Sequence, residues 1–436
     1  MVSRSIRARF GRLRRFAGRG PERDERRLRE LVAGALGRHA TTTKRADAAT
    51  IAEAYVAGDD EWRRRFFRLL VAEFWTSPAA VSDALDAYEA APPGERRRAE
   101  RTLRDALTPP AIGLLSSFSG LEGGVKLLVD LRADLLRLGA DDPDLAELDE
   151  ELRRHLATLF DIGLLELRRI TWDASASLLE KLIEYEAVHA IDSWADLKNR
   201  LDSDRRCYAF FHPAMPDEPL VFVEIALTAG IATDLDTLLD ESAPDLATDR
   251  VDTAVFYSIS NCQPGLAGVN LGNALVKQVV ERLRQELDHV RHFVTLSPIP
   301  GFRRWLEAEL RHGTLREHER ELLPAQPGRV LTRLADAGWD ADEAIRPGLL
   351  ALCARYLTTQ KEGRVLDPVA NFHLANGASL ERLNWLADPS PTGRERSVGI
   401  MANYRYDPER IMERAEAYVA RGEVSVSDAV HELLAE

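Results

Sequence analysis

The sequence predicts an α+β protein in two parts: an N-terminal all-helical bundle over residues 1–160, then a mixed-sheet domain over residues 161–436. Three observations carry this expectation. Residues 62–74 and 121–136 space their apolar side chains at i, i+3 and i+4, which buries one helix face and leaves charged residues in water. Beyond residue 160 the texture shifts to β-branched and aromatic runs, such as Cys207-Tyr-Ala-Phe-Phe-His212 and Leu220-Val-Phe-Val-Glu-Ile-Ala-Leu227. Residues 253–296 then read as strand, loop, long helix and strand, the order that joins parallel strands through a crossover.

The helical half is punctuated at Ala91-Pro-Pro-Gly94, Pro109-Pro110 and Ala140-Asp-Asp-Pro143, each a strong helix terminator. Antiparallel helices with short links follow from that spacing. In the second half, residues 207–212 and 220–227 read as a hairpin whose turn spans the proline-rich residues between them. Residues 253–260 form the next strand, 272–287 a helix, and 290–296 a strand that stops at Ser297-Pro-Ile-Pro-Gly301. Residues 303–357 read as helical, 379–387 as a short apolar segment and 408–434 as a closing helical pattern. No internal repeat interrupts this order.

A chain of 436 residues exceeds one ordinary core, and 45% apolar with 30% charged residues is the composition of a folded, soluble protein. A net charge of -13 argues against a general nucleic-acid binder, yet leaves room for an anionic ligand held by aligned backbone N–H groups. Cys207, Cys262 and Cys353 are too scattered for a disulfide framework, and the ten histidines form no HxH or HExxH cluster. A reducing compartment and no metal site are therefore expected. No run reaches the roughly 18 apolar residues of a membrane span. The first twenty residues carry seven arginines and no acid, the composition of a mitochondrial transit peptide. Arginine also outnumbers lysine 52 to 6 throughout, as in GC-rich bacterial coding sequences. A bacterial cytoplasmic location is expected, with residues 1–24 a disordered leader.

The loop Cys262-Gln-Pro-Gly-Leu-Ala-Gly-Val-Asn-Leu-Gly272 lies between a strand and a helix. Small residues let backbone N–H groups approach a ligand there, and the helix start behind them favours negative charge, so pyrophosphate is the natural occupant. An ordinary strand-to-helix turn is the competing reading. The spacing is neither GxGxxG nor a Walker motif. The loop resembles the pyrophosphate-binding segment of GNAT-type acetyltransferases, although Ala267 stands where Arg or Gln is usual and Asn270 where glycine is usual.

The chain is more closely similar to the malonyl-CoA decarboxylase family. The resemblance rests on ordered blocks: Thr171-Trp172, Glu186-Ala-Val-His189, Arg205-Arg-Cys-Tyr208, Glu218-Pro-Leu-Val221, Phe256-Tyr-Ser-Ile-Ser260, Gly268-Val-Asn-Leu-Gly272 and Leu296-Ser-Pro-Ile-Pro-Gly-Phe302. It continues through Pro368-Val-Ala-Asn-Phe-His373, Asn376-Gly377, Asn384-Trp385 and Gly399-Ile-Met-Ala-Asn-Tyr-Arg-Tyr406, with Glu122-Gly-Gly-Val-Lys-Leu-Leu-Val-Asp-Leu-Arg132 in the helical half. The resemblance implies a helical oligomerisation domain, a GNAT-like catalytic domain, malonyl-CoA as the substrate and a homo-oligomer formed through the helices. It matches Ser297 and His373 to the family's Ser/His pair. It assigns the CoA contacts to the loop backbone at Gly265, Gly268, Val269, Asn270, Leu271 and Gly272, and to the strand residues Phe256, Ser258 and Ser260. Family members can carry a carboxylate at the position of Asn270, a group this chain lacks there.

The chemistry makes its own demands. Loss of CO2 from a malonyl thioester leaves an enolate, so the thioester carbonyl is the electron sink and no metal or organic cofactor is required; CoA is part of the substrate. The four methionines offer no biotin-acceptor sequence. A site must hold CoA, stabilise the enolate oxygen and protonate the carbon. Taken by themselves, a serine before proline is a turn residue and a lone histidine a structural one. Within the motifs, Ser297 is held in a rigid turn by Pro298 and Pro300, where its hydroxyl can bond the malonyl group. His373 partners it and supplies or relays the proton. Ser297 is not expected to be acylated. Asn403 and Tyr404 read as packing residues beside a possible pocket role, and His212 as structural. Two rival functions remain: an acyl-CoA-dependent GNAT-type acyltransferase, which needs an acceptor, and an inactive CoA-sensing scaffold.

Overall fold

The computed structural model describes residues 21–37, 41–241, 250–335, 338 and 343–435, so most of the leader expected over residues 1–24 lies outside the described residues. The chain forms two compact units. One takes the described residues up to Glu166 together with Phe211–Leu220 and Cys262–Asn270; the other takes Leu167–Phe210, Val221–Asn261 and the described residues from Leu271 on.

The first unit is helical. Its helices are Pro21–Leu36, Thr41–Ala57, Asp60–Glu73, Pro78–Ala90, Arg96–Leu107, Pro110–Phe118, Gly124–Leu138 and Pro143–Leu159. They start where the terminators said they would. Pro110 and Pro143 open their helices, where a missing N–H costs nothing, and Asp59, Ser77 and Asp142 accept first-turn N–H groups as caps. The helix Gly124–Leu138 departs from the expected single buried face: Lys126, Asp130, Arg132 and Asp134 are buried along with its leucines. The loop Cys262–Asn270 covers a second side of it, so closely that a Cβ on Gly265 would lie 1.8 Å from the Val129 carbonyl oxygen. The buried charges are paired, as buried charges must be. Asp134 accepts from the Tyr55 hydroxyl at 2.9 Å and faces Arg63 at 3.1 Å, and Lys126 pairs with Asp130.

The second unit is built on a mixed sheet. The strands of the sheet are β1 (Glu166–Ile170), β2 (Arg205–His212), β3 (Met215–Thr228), β4 (Thr253–Asn261), β5 (His292–Thr295) and β6 (Ser297–Pro298), of which Glu166 and the β2–β3 stretch Phe211–Leu220 count with the first unit. Two short strands, β7 (Gln360–Lys361) and β8 (Arg364–Val365), form a separate hairpin, and β9 (Ser379–Asn384) and β10 (Met401–Tyr406) complete the main sheet. The main order is β1-β2-β3-β4-β5-β10-β6, with β9 on the other side of β10. Strands β3 and β4 are antiparallel, while β4 and β5 are parallel and joined by the crossover helix Leu271–Glu286. This is the mixed sheet expected. The core beneath it gathers Val255, Tyr257, Val294, Leu296 and Met401 with Leu235 and Leu238.

Three local expectations need correction. The β2–β3 turn occupies Pro213 and Ala214 alone, and β3 already begins at Met215, because prolines are tolerated near a strand's start. The closing helical pattern is two helices, Ile411–Arg421 and Asp428–Leu434, separated at Gly422, whose φ of 69° ends the first. Residues 401–406 had no strand assigned, yet β10 pairs with β5, β6 and β9 at the centre of the fold.

Candidate active site

Ser297 sits where the sheet breaks. The parallel ladder of β4 and β5 ends at Phe256, whose carbonyl accepts the Leu296 N–H at 3.0 Å. The chain then re-pairs as β6, with Ser297 opposite Ala402 of β10. Pro298 and Pro300 exclude a helical continuation, so the hydroxyl stays at this break. Thr295 lies two residues earlier, and Ser297 Oγ donates to its Oγ1 at 2.8 Å. Thr295 Oγ1 also accepts the Tyr404 N–H at 3.1 Å, while Asn403 Nδ2 donates to the Thr295 carbonyl at 2.7 Å. The serine is thereby locked onto β10.

His373 comes from the helix Pro368–Ala375. Asp367 caps it, Oδ1 accepting the N–H groups of Val369 and Ala370, both at 2.9 Å, and Pro368 takes the first helical position. Asp367 is fully buried, and burial raises its carboxyl above the usual carboxylate range. Its neighbours are Tyr356 and Gly301, where a Cβ would come 2.2 Å from the tyrosine oxygen. One carboxylate thus borders both the Ser297 turn and the His373 helix. At the helix end, Asn376 Nδ2 donates to the Phe372 carbonyl at 2.7 Å and to Asn273 Oδ1 at 2.8 Å. Gly377 takes φ 84° and packs on the Ile411 backbone.

These elements bring together two residues 76 positions apart: Ser297 Oγ and His373 Nε2 lie 3.1 Å from each other, both buried. Nδ1 faces the Tyr406 hydroxyl at 2.8 Å, and the Tyr404 ring stacks on the imidazole with centroids 4.6 Å apart and planes at 25°. Both ring nitrogens therefore meet hydroxyls. With the Ser297 proton directed at Thr295, the consistent neutral tautomer donates from Nε2 to Ser297 and accepts from Tyr406 at Nδ1. Burial pushes the His373 pKa down to about 3. The ring is neutral at physiological pH. A consequence is that kcat/KM carries no acid limb near pH 6.5 from this residue; a pH–rate profile between pH 5 and 8 checks it. The same depression has a stability sign. An unfolded histidine binds its proton below about 6.5 and the folded one only near 3, so His373 erodes stability as pH falls through that window.

The other expected site residues are distributed as follows. Phe256 is buried with its ring 6.5 Å from that of Tyr406. Ser258 and Ser260 both donate to the Glu186 carboxylate, at 2.7 and 3.1 Å, and Glu186 also accepts the N–H groups of Val188 and His189 at 2.8 Å. Arg200, at the end of the helix Trp194–Arg200, donates to the His189 and Ala190 carbonyls at 2.9 Å, so the Glu186–Ala190 turn is tied to β4 through Glu186 and to that helix through Arg200. Gly265, Gly268, Val269 and Asn270 belong to the helical unit. Leu271 is buried and opens the crossover helix, where a Cβ on Gly272 would lie 3.1 Å from the Phe372 ring. His212 packs its ring 5.0 Å from Phe160, and its Nδ1 accepts the Ala214 N–H, a structural role as expected.

Comparison with known proteins places this geometry. The family profile "Malonyl-CoA decarboxylase C-terminal domain" matches residues 163–436, and "Malonyl-CoA decarboxylase N-terminal domain" matches residues 74–160. The chain belongs to the malonyl-CoA decarboxylase family. It is 38% identical over 361 residues to the mitochondrial malonyl-CoA decarboxylase of Anser anser anser, covering 77% of this chain and 72% of that one. The Rattus norvegicus mitochondrial enzyme is 38% identical over 363 residues, covering 78% and 74%. Among solved structures, malonyl-CoA decarboxylase from Agrobacterium vitis superposes with a TM-score of 0.87 at 39% identity, covering 94% of this chain and 100% of that one. The Rhodopseudomonas palustris structure gives 0.85 at 39% identity, covering 94% and 99%. Within this malonyl-CoA decarboxylase fold, the reading of the sequence passed over Thr295, Tyr406 and Asp367. Each had a signal: Thr295 is two residues before Ser297 on one strand, Tyr406 is in the same short block as Tyr404, and Asp367-Pro368 is an N-cap followed by an N1 proline.

Proposed function

We propose that this chain decarboxylates malonyl-CoA to acetyl-CoA and CO2 without a metal or organic cofactor, using Ser297 and His373 on the malonyl group. The observation that carries the reading is the buried 3.1 Å contact of Ser297 Oγ with His373 Nε2, with Tyr406 behind the ring. In the reaction the bond between the carboxylate carbon and C2 breaks and CO2 departs. The bonding pair moves into the thioester as an enolate, and C2 takes one proton. The Ser297 hydroxyl turns from Thr295 to the malonyl group, orienting the carboxylate out of the thioester plane so that the breaking bond overlaps the carbonyl π system. Burial helps here, because a dry site disfavours the carboxylate and favours the spread-out enolate charge. A neutral imidazole is a poor source of a free proton, so it acts as a relay: Ser297 protonates C2, Nε2–H restores Ser297, and Tyr406 restores the ring at Nδ1. One proton from solvent then returns to Nε2 while Tyr406 takes its own proton back from Nδ1, which restores the resting tautomer.

CoA is held, on this reading, by the backbone N–H groups of Gly268, Asn270, Leu271 and Gly272 at its diphosphate, the Val269 N–H being spent on the Leu266 carbonyl, and by β4 from Phe256 to Ser260 along the pantetheine. The end of the β4–β5 ladder at Phe256 supports that course, since β4 runs on beyond it without β5 alongside. Mixing enzyme, chelator and malonyl-CoA with no acceptor tests the function: prompt stoichiometric acetyl-CoA and CO2 support it, whereas turnover that requires an amine or hydroxyl acceptor makes the chain an acyltransferase. Ser297→Ala is expected to lower kcat about a hundredfold with KM nearly unchanged, read by steady-state kinetics.

Self-association through the helical unit belongs to the same reading. The hairpin of helices Pro78–Ala90 and Arg96–Leu107 buries only Ala84, and leaves Leu85 and Leu107 43% and 55% exposed. A hairpin with so little burial and two exposed leucines leaves surface that a second copy of the chain would cover. The bacterial cytoplasm is the location that arginine usage supports; among the described residues no helix is long and apolar enough to cross a membrane.

A further inference from the structure

The loop assigned to the CoA diphosphate is held from outside as well as by its own turns. One outside tether is Arg132, a residue of the helix Gly124–Leu138 that is only 2% exposed. Nη1 of Arg132 donates to the Gly265 carbonyl at 2.8 Å and to the Ala267 carbonyl at 2.6 Å. The guanidinium is held in turn by Asp149, with Nε 2.9 Å from Oδ1 and Nη2 3.4 Å from Oδ2. A buried arginine divided between one carboxylate and two loop carbonyls is an arrangement only its planar, forked donors allow.

Peptide geometry turns this tether into a directional device. In a planar trans peptide the C=O and the following N–H point in opposite directions. Drawing the Ala267 carbonyl inward to Arg132 therefore aims the Gly268 N–H outward, to the exposed side of the loop. Gly268 then turns the chain through φ 76°, a left-handed conformation, and the Val269 N–H closes back on the Leu266 carbonyl at 3.0 Å. The result is an outward-facing Gly268 N–H whose orientation is set from a buried helix rather than by the loop's own side chains.

We propose that Arg132 is a positioning residue for the CoA diphosphate: it holds the Gly265 and Ala267 carbonyls so that the Gly268 N–H faces the ligand. The proposal rests on the assignment of that loop to the diphosphate. It makes a side chain of the helical unit a determinant of CoA affinity, with no part in the chemistry at the thioester.

The test compares malonyl-CoA with malonyl-pantetheine, which has the same reacting end and no diphosphate. Full-length Arg132→Met and Arg132→Lys are expected to raise KM for malonyl-CoA about tenfold, with kcat within about twofold. Neither should change kcat/KM for malonyl-pantetheine. Asp149→Asn, which loosens the guanidinium while leaving both carbonyls their donor, is the second variant should Arg132→Met fail to fold; a rise of about threefold in KM for malonyl-CoA alone is expected. Equal losses on the two substrates would assign Arg132 to general stability and overturn the proposal, as would an unchanged KM for malonyl-CoA. A wild-type enzyme that handles both thioesters equally well would remove the diphosphate assignment itself, whatever the variants do.

Discussion

Replacing His373 with alanine lowers turnover of malonyl-CoA about a thousandfold and leaves the affinity for CoA within about twofold. The size follows from the ring's position. Its two nitrogens are spent on Ser297 at 3.1 Å and Tyr406 at 2.8 Å, so its removal cuts the path between those hydroxyls. Positioned proton transfer is worth about a hundred- to ten-thousandfold, and the variant forfeits that along with the orientation of Ser297. Truncation also leaves a buried gap beside the Tyr404 ring, so a drop in thermal stability accompanies it. Steady-state kinetics at saturating malonyl-CoA, with calorimetric titration of CoA on the same preparation, separates the effects. Parallel loss of rate and CoA affinity would instead make His373 an anchor for the ligand.

Gly377→Ala has the largest expected effect on stability, about 3–4 kcal/mol. Two costs add at this position. The backbone holds φ 84°, where any side chain is strained, and a Cβ would lie 1.9 Å from the Ile411 carbonyl oxygen. Relief requires moving the helix Ile411–Arg421 away from the end of the helix that carries His373. Chemical denaturation monitored by circular dichroism measures the loss; a change below about 1 kcal/mol would mean the contact is looser than the geometry states. The glycine of Asn376-Gly377 is in the motif for this backbone-to-backbone approach.

How far the sequence could be read depended on whether a signal was local. Proline terminators and Asp or Ser caps act within one turn, so helix starts such as Pro110 and Pro143 were legible. The strand–helix–strand crossover was legible for the same reason, since β4 and β5 are short apolar runs on either side of one strong helix. Strand β10 was not. Met401-Ala-Asn-Tyr-Arg-Tyr406 lacks a clean alternation, because Asn403 and Tyr404 are both buried, one bonded to the Thr295 carbonyl and the other stacked on His373. Its place is decided by partners on three other strands, which no local pattern encodes.

The candidate site shows the same division. Ser297 and His373 stood out through their motifs, and the fold brings them into contact. Their supports act across distance: Asp367 borders the Ser297 turn at Gly301, Tyr406 reaches His373 from β10, and Arg132 reaches the 262–270 loop from a helix more than a hundred residues earlier. Gly265 illustrates how one residue type carries two meanings. Read from the sequence it belongs to a ligand-facing loop; in the fold its bare Cα meets the Val129 carbonyl, so its smallness serves the packing of backbone on backbone.

A structure of the enzyme with a malonyl-CoA analogue that cannot lose CO2 would measure the proposed mechanism directly. The account predicts the malonyl carboxylate or thioester oxygen within about 3.2 Å of Ser297 Oγ, with the Ser297–His373–Tyr406 chain intact behind it. A malonyl group seated away from Ser297, or an imidazole swung out of contact with that hydroxyl, would contradict it.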